Sequence, residues 1–242
     1  MMKRLRLAAI PAVLLGLLTL APGCAAFDAS SAKSAATRAD EGFRSNFQVD
    51  KADLADSGEN PYFLLKPGYR LILQDGKDTL TITVLSDTKV VDGVRTRVVE
   101  ERETQGGRLA EVSRNYFAID RKTKDVYYFG EDVDMYRDGK VTGHGGSWLS
   151  GQDGAKFGLM MPGAPKVGDK FYQERAPKAA MDRCEIVSLT EAMRTPAGEF
   201  KNVLCVQDSS ALESGLEKKW YAPGVGLLKD ADFTLAKIER GE

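Results

Sequence analysis

The chain has one histidine, His144, in the stretch Thr142-Gly143-His144-Gly145-Gly146-Ser147. An imidazole close to a serine hydroxyl is the pair a hydrolase uses as base and nucleophile. The flanking glycines fit a catalytic loop and equally a solvated turn, and triad geometry is spatial, so spacing alone does not choose between them. Just upstream, Glu131, Asp132, Asp134 and Asp138 gather before a glycine turn, the oxygen-rich composition that a hard cation such as Ca²⁺ takes. Aligned with Asp134 first, Asp138 and Gly139 fall at the fifth and sixth positions of an EF-hand loop. Tyr136 then stands third and Gly145 twelfth, so the bidentate carboxylate is missing and that motif fails. An irregular cation site at these four carboxylates and a solvated hairpin both remain. The same carboxylates would serve a glycosidase only at the right separation across the fold.

Other chemistries are excluded by composition. One histidine rules out a site built on several imidazoles, and with it the HExxH motif. The chain has no Cys-x-x-Cys pair, Walker loop, GxGxxG or G-x-S-x-G elbow. Nothing in it calls for a cofactor. Cys184 and Cys205 form a disulfide in an oxidising compartment or stay as two buried, inert thiols. A hairpin about Thr195-Pro196-Ala197 sets Cys205 nearer Val187 than Cys184, an offset that strains a bridge. Neither cysteine has a histidine beside it in sequence to activate it. The expectation is a protein that is not an enzyme; a hydrolase needs His144 or the Glu131–Asp138 cluster to converge in one cleft.

Cys24 has a different purpose. Lys3, Arg4 and Arg6 precede an apolar run from Leu7 to Leu20, and small residues follow: a secretory signal peptide over residues 1–23. The run is too short to span a bilayer comfortably. Leu20-Ala21-Pro22-Gly23-Cys24 resembles the lipobox of bacterial lipoproteins, with Ala21 where that pattern prefers leucine. The resemblance implies an acylated Cys24, and two or more acyl chains anchor a protein stably. The alternative is cleavage after Ala26, which discards the cysteine. Ala25 is not the acidic residue tied to inner-membrane retention in some bacteria, so the expectation is the periplasmic face of the outer membrane.

Removing residues 1–23 takes three of the 34 basic residues, leaving 31 against 35 acidic, or about −4. That balance gives no footprint for nucleic acid. With 43% hydrophobic residues the remainder reads as one globular domain. Residues 24–60 are rich in Ala, Ser and Asp and read as a lipid-anchored flexible tether, since they offer little apolar surface to offset ordering. Docking of residues 40–55 on the domain is the other arrangement.

Residues 61–242 carry the pattern of strands. Leu80, Ile82 and Val84 alternate with Thr79, Thr81 and Thr83, the period-2 mark of a half-buried strand. Asp75-Gly76, Asp92-Gly93, Gly106-Gly107, Asp138-Gly139 and Pro196-Ala197-Gly198 punctuate short β-branched and aromatic runs. The prediction is a mainly β domain: a single antiparallel curved sheet, half-barrel or sandwich, read as successive hairpins. Pro223-Gly224 is read as a type II turn at a sheet corner.

TPAGEFKNVL (195–204), KKWYAPGVGLLKD (218–230) and FAIDRKTKDVYYFGED (117–132) resemble a group of uncharacterised bacterial exported proteins in which a TPAG-F hairpin precedes a YAPGVGL segment. Their layout is similar to that of the lipoprotein-carrier superfamily, which implies a curved sheet around an apolar cavity and brings no catalytic residue. The leading expectation is an envelope lipoprotein offering that concavity to a lipid or other hydrophobic client, lined by Leu159, Met160 and Met161. In the alternative these three plug an ordinary core and the protein is structural or interacts with other proteins.

Overall fold

The computed structural model describes residues 42–241, so Cys24 and the signal peptide expected over residues 1–23 lie outside the described residues. A 3₁₀ turn, Lys51–Asp53, leads into strands β1 (Leu54–Ala55), β2 (Gly58–Asn60), β3 (Phe63–Leu65), β4 (Arg70–Asp75), β5 (Asp78–Val91) and β6 (Val94–Gln105). Then follow β7 (Arg108–Asp120), β8 (Val126–Arg137), β9 (Lys140–Gly143), β10 (Trp148–Leu149), β11 (Lys156–Met161) and β12 (Lys170–Tyr172). The chain ends with β13 (Glu174–Arg175), β14 (Asp182–Thr195), β15 (Gly198–Ser210), β16 (Glu217–Ala222), β17 (Gly226–Asp230) and β18 (Phe233–Glu239).

Turn chemistry explains the hairpins. Asp92-Gly93, Gly106-Gly107 and Asp138-Gly139 all have positive φ at both residues, the type I′ geometry whose twist matches the flanking strands. Gly224, at φ +71, supplies the positive φ of the turn joining β16 to β17. Antiparallel pairing runs β12-β14-β15-β16-β17-β18-β4-β5-β6-β7-β8-β11-β13. The two ends of that order are consecutive in the chain, with only Gln173 between them. β12 pairs β14 and β13 pairs β11, so this one segment draws the sheet's edges together into a nearly closed barrel. Closure removes the open edges that would otherwise template aggregation. The domain is thus mainly β as predicted, but closed further than a half-barrel and not split into a sandwich.

At the seam, Gly158 of β11 lies so close to the next segment that a Cβ there would stand 2.4 Å from the carbonyl oxygen of Gln173 and 2.5 Å from that of Tyr172. No larger residue fits. The core fills the barrel with Leu73, Phe129, Leu159, Ile186, Leu204 and Leu235, all inaccessible to solvent.

Residues 42–60, assigned above to a flexible tether, pack on the barrel. Arg44 exchanges backbone hydrogen bonds with β12, β1 pairs with β7, and Leu54 is buried. Asp56, also buried, pairs with Arg97 at 3.3 Å, while Arg97 Nε donates to its carbonyl at 2.8 Å. The sequence shows few apolar residues here because the segment is held mainly by backbone pairing and one buried guanidinium, which hydropathy does not register.

The disulfide is also absent: Cys184 and Cys205 are both free and buried. Cys184 pairs with Asp208 and Cys205 with Ser188, so the two sit three residues apart along the β14–β15 ladder. At about 3.4 Å per residue that is roughly 10 Å, beyond a disulfide's reach.

Candidate functional site

The β2–β3 hairpin forms its own two-stranded sheet and lies across one mouth of the barrel. Asn60 pins it: Nδ2 donates to the carbonyls of Lys124 and Pro162, each at 2.9 Å, and Oδ1 accepts the Tyr62 N–H at 2.8 Å. The Gly224 N–H donates to the Pro61 carbonyl at 2.8 Å, tying the hairpin tip to the β16–β17 corner. Beneath it is a cavity of about 70 Å³ walled by Phe63, Leu64, Leu71, Ile82, Val99 and Met160. Those residues meet there because β4, β5 and β6 are adjacent and every second residue points inward. Gly226 completes the wall at φ +103, a conformation that side chains rarely adopt.

The same cavity has a charged side formed by Lys219, Asp230, Glu101 and Tyr221. Lys219 is 1% exposed, with its ammonium 3.3 Å from the Asp208 carboxylate and 3.7 Å from that of Asp230. Burial alone pushes the lysine pKa down, but Asp230 and Asp208 overcome this and hold it well above its ordinary value, so the ammonium stays charged. Burial raises the Cys184 thiol, with Asp208 beside it adding to the effect, so it is no nucleophile at neutral pH. Burial likewise drives the Tyr221 phenol up.

Glu101 and Met160 also line a second cavity of about 30 Å³, with Asn115, Glu131, Gln173, Glu174 and Asp182. Glu101 and Met160 therefore lie between the two cavities. Burial raises the pKa of Glu101. It raises that of Glu174 strongly, and the Asp182 carboxylate adds to the rise.

Of the three residues assigned to a client-binding wall, only Met160 fills that role. β11 alternates, so Leu159 and Met161 are core residues at 0% and 2% exposure, while half-buried Met160 faces both cavities. The carboxylate cluster does not converge either. Alternation along β8 buries Glu131 and leaves Asp132 and Asp134 on the other face. Asp132 takes hydrogen bonds from Lys89 Nζ at 2.7 Å and Tyr116 Oη at 2.5 Å; Asp134 pairs with Arg114; exposed Asp138 faces Arg108. Among the described residues no group of three His, Cys, Asp or Glu side chains is placed to hold a metal. His144 is largely exposed, with Nδ1 3.0 Å from the Val133 carbonyl and 3.0 Å from Asp134. The Ser147 hydroxyl accepts the Val133 N–H at 2.9 Å. Both side chains thus brace the β8 edge.

Sequence reading missed Glu101, Gln173, Glu174, Lys219 and Asp230. The usable signal was a charged residue in phase with the apolar face of a strand: Glu101 after Val99, and Lys219 before Tyr221.

Together these features define a capped, nearly closed antiparallel barrel with a part-apolar, part-charged chamber beside a smaller polar one. No family model matches the chain, and no curated protein matches it. A solved structure from Parabacteroides distasonis, described as a "putative lipoprotein", is similar over 75% of this chain and 100% of that chain, at 12% identity and a TM-score of 0.36. At that score the likeness supports no argument about this chain.

Proposed function

We propose that the protein is a non-enzymatic, exported envelope lipoprotein, anchored through acylated Cys24 at the outer membrane, whose barrel holds the apolar part of a small ligand beneath the β2–β3 hairpin. The observation that carries the ligand reading is the 70 Å³ chamber walled by Phe63, Leu64, Leu71, Ile82, Val99 and Met160. Interiors are close-packed, and the apolar side of this void suits an apolar guest, with Glu101, Lys219 and Asp230 on its other side. The signal peptide and the lipobox-like run support the anchor. The chamber is small, so it receives one end of a ligand; a bulkier client has to displace the hairpin, as lids do in closing over bound molecules.

Native mass spectrometry of the exported chain carrying Cys24→Ser, purified without detergent, tests this. A bound small molecule that is lost in Ile82→Trp, with the far-UV spectrum unchanged, supports the reading. A bare protein mass from the exporting host, with no uptake of added butan-1-ol, overturns it.

A further inference from the structure

The smaller cavity has a lopsided inventory of hydrogen-bonding groups. Tyr128 and Asn115 spend their donors within the protein: Tyr128 Oη donates to Asn115 Oδ1 at 2.6 Å, and Asn115 Nδ2 donates to Ser113 Oγ at 3.2 Å and the Val99 carbonyl at 3.3 Å. Three acceptor side chains of the same cavity are left short of donors among the described residues. The Glu101 carboxyl has no hydrogen bond or ion pair within the described residues. Glu174, 2% exposed, accepts one bond, from the Asp182 N–H to Oε1 at 2.7 Å, and its Oε2 receives none. Gln173, 4% exposed, spends its amide on a weak contact of 3.8 Å to Met160 Sδ, and its carbonyl oxygen has no donor. The side chains lining this cavity include several carboxyls and no basic group. Lys219, the ammonium lining the larger chamber, is matched by Asp208 and Asp230.

Gln173 and Glu174 are buried and Glu101 is partly buried, and all three line the cavity; polar groups in native interiors nearly all find a partner. The missing partner has to bring several N–H donors and, facing carboxyls, a positive charge; an ammonium supplies both and accepts nothing. Glu101 and Met160 belong to both cavities, so a molecule with its apolar end under Phe63 and Ile82 places its head against Glu101.

Resting on the ligand reading above, we infer that the barrel's ligand is a protonated amine with an apolar body, its head held by Glu101, Gln173 and Glu174 and its tail by the chamber below the hairpin. A bound ammonium offsets the burial that disfavours the ionised form of these carboxyls, and a carboxylate head does the reverse.

The test compares butylammonium, butan-1-ol and butyrate, titrated at pH 7 into the exported chain carrying Cys24→Ser and followed by methionine-methyl NMR. The inference expects butylammonium to bind at least tenfold more tightly than the alcohol, with butyrate weakest. Glu101→Gln should bring the amine down to the alcohol's affinity while alcohol binding, which reports an intact chamber, persists; Glu174→Gln should do so in part. Equal or tighter binding of the alcohol overturns the inference and leaves the ligand reading standing. Amine preference that survives both substitutions overturns the assignment of the head site. Absence of binding by all three overturns the ligand reading itself.

Discussion

Replacing Lys219 with methionine should be the most damaging single change in the barrel wall. Lys219 and Asp208 are 1% and 0% exposed, and the ammonium lies 3.3 Å from Asp208 and 3.7 Å from Asp230. With an effective dielectric of about 20 these contacts are worth roughly 5 and 4.5 kcal/mol. Part of that is offset by the desolvation the ammonium no longer suffers, so stranding the buried Asp208 carboxylate should cost about 3–5 kcal/mol. For a domain of this size that lowers Tm by roughly 6–20 °C. Urea unfolding followed by tryptophan fluorescence measures it directly, with the slope unchanged if the native state is intact. The pH dependence has a definite sign. In the wild type the lysine pKa is raised, so its contribution is complete below the ordinary lysine value and flat between pH 5 and 8. In Lys219→Met the stranded carboxylate binds its proton more tightly folded than unfolded, so the deficit grows as pH rises and shrinks as pH falls. Adding Asp208→Leu should recover half or more of the loss. A deficit under about 1 kcal/mol, or one independent of pH, would refute the reasoning.

Three further outcomes are expected. Gly158→Ala should cost about 1–3 kcal/mol, because its Cβ meets the carbonyls of Tyr172 and Gln173 at the seam, and hydrogen exchange should quicken first along Lys156–Met161 and Lys170–Arg175. Cys184 and Cys205 should resist thiol reagents in the native state and react together after denaturation without reductant, since both are free and burial raises both, Cys205 to about 11. Cys24→Ala should move the protein from the membrane fraction to the soluble periplasm and abolish labelling with a fatty-acid precursor.

The strands were legible because period-2 patterning and Asp-Gly or Gly-Gly turns are local signals, and β5, β6 and the type I′ hairpins follow from them. Closure was not legible. It depends on Gln173 separating two strands as short as Lys170–Tyr172 and Glu174–Arg175, too brief to carry a period, and on a glycine at 158 whose need shows only when the carbonyls arrive. The site was half legible for the same reason. Alternation, applied to β11, separates Met160 from Leu159 and Met161; applied to β8, it splits Glu131 from Asp132 and Asp134. Lys219 and Glu101 stand on apolar faces, a local contradiction resolved on other strands: at Asp208 and Asp230 on the two neighbours of β16, and at Met160 on β11.

Crystals pressurised with xenon test the central claim most directly, since apolar cavity walls take up xenon without any polar contact. The account predicts a xenon peak between Phe63, Leu71, Ile82 and Met160, and none among Leu159, Met161 and Ile186 in the packed core. No xenon against these apolar walls at saturating pressure would contradict it.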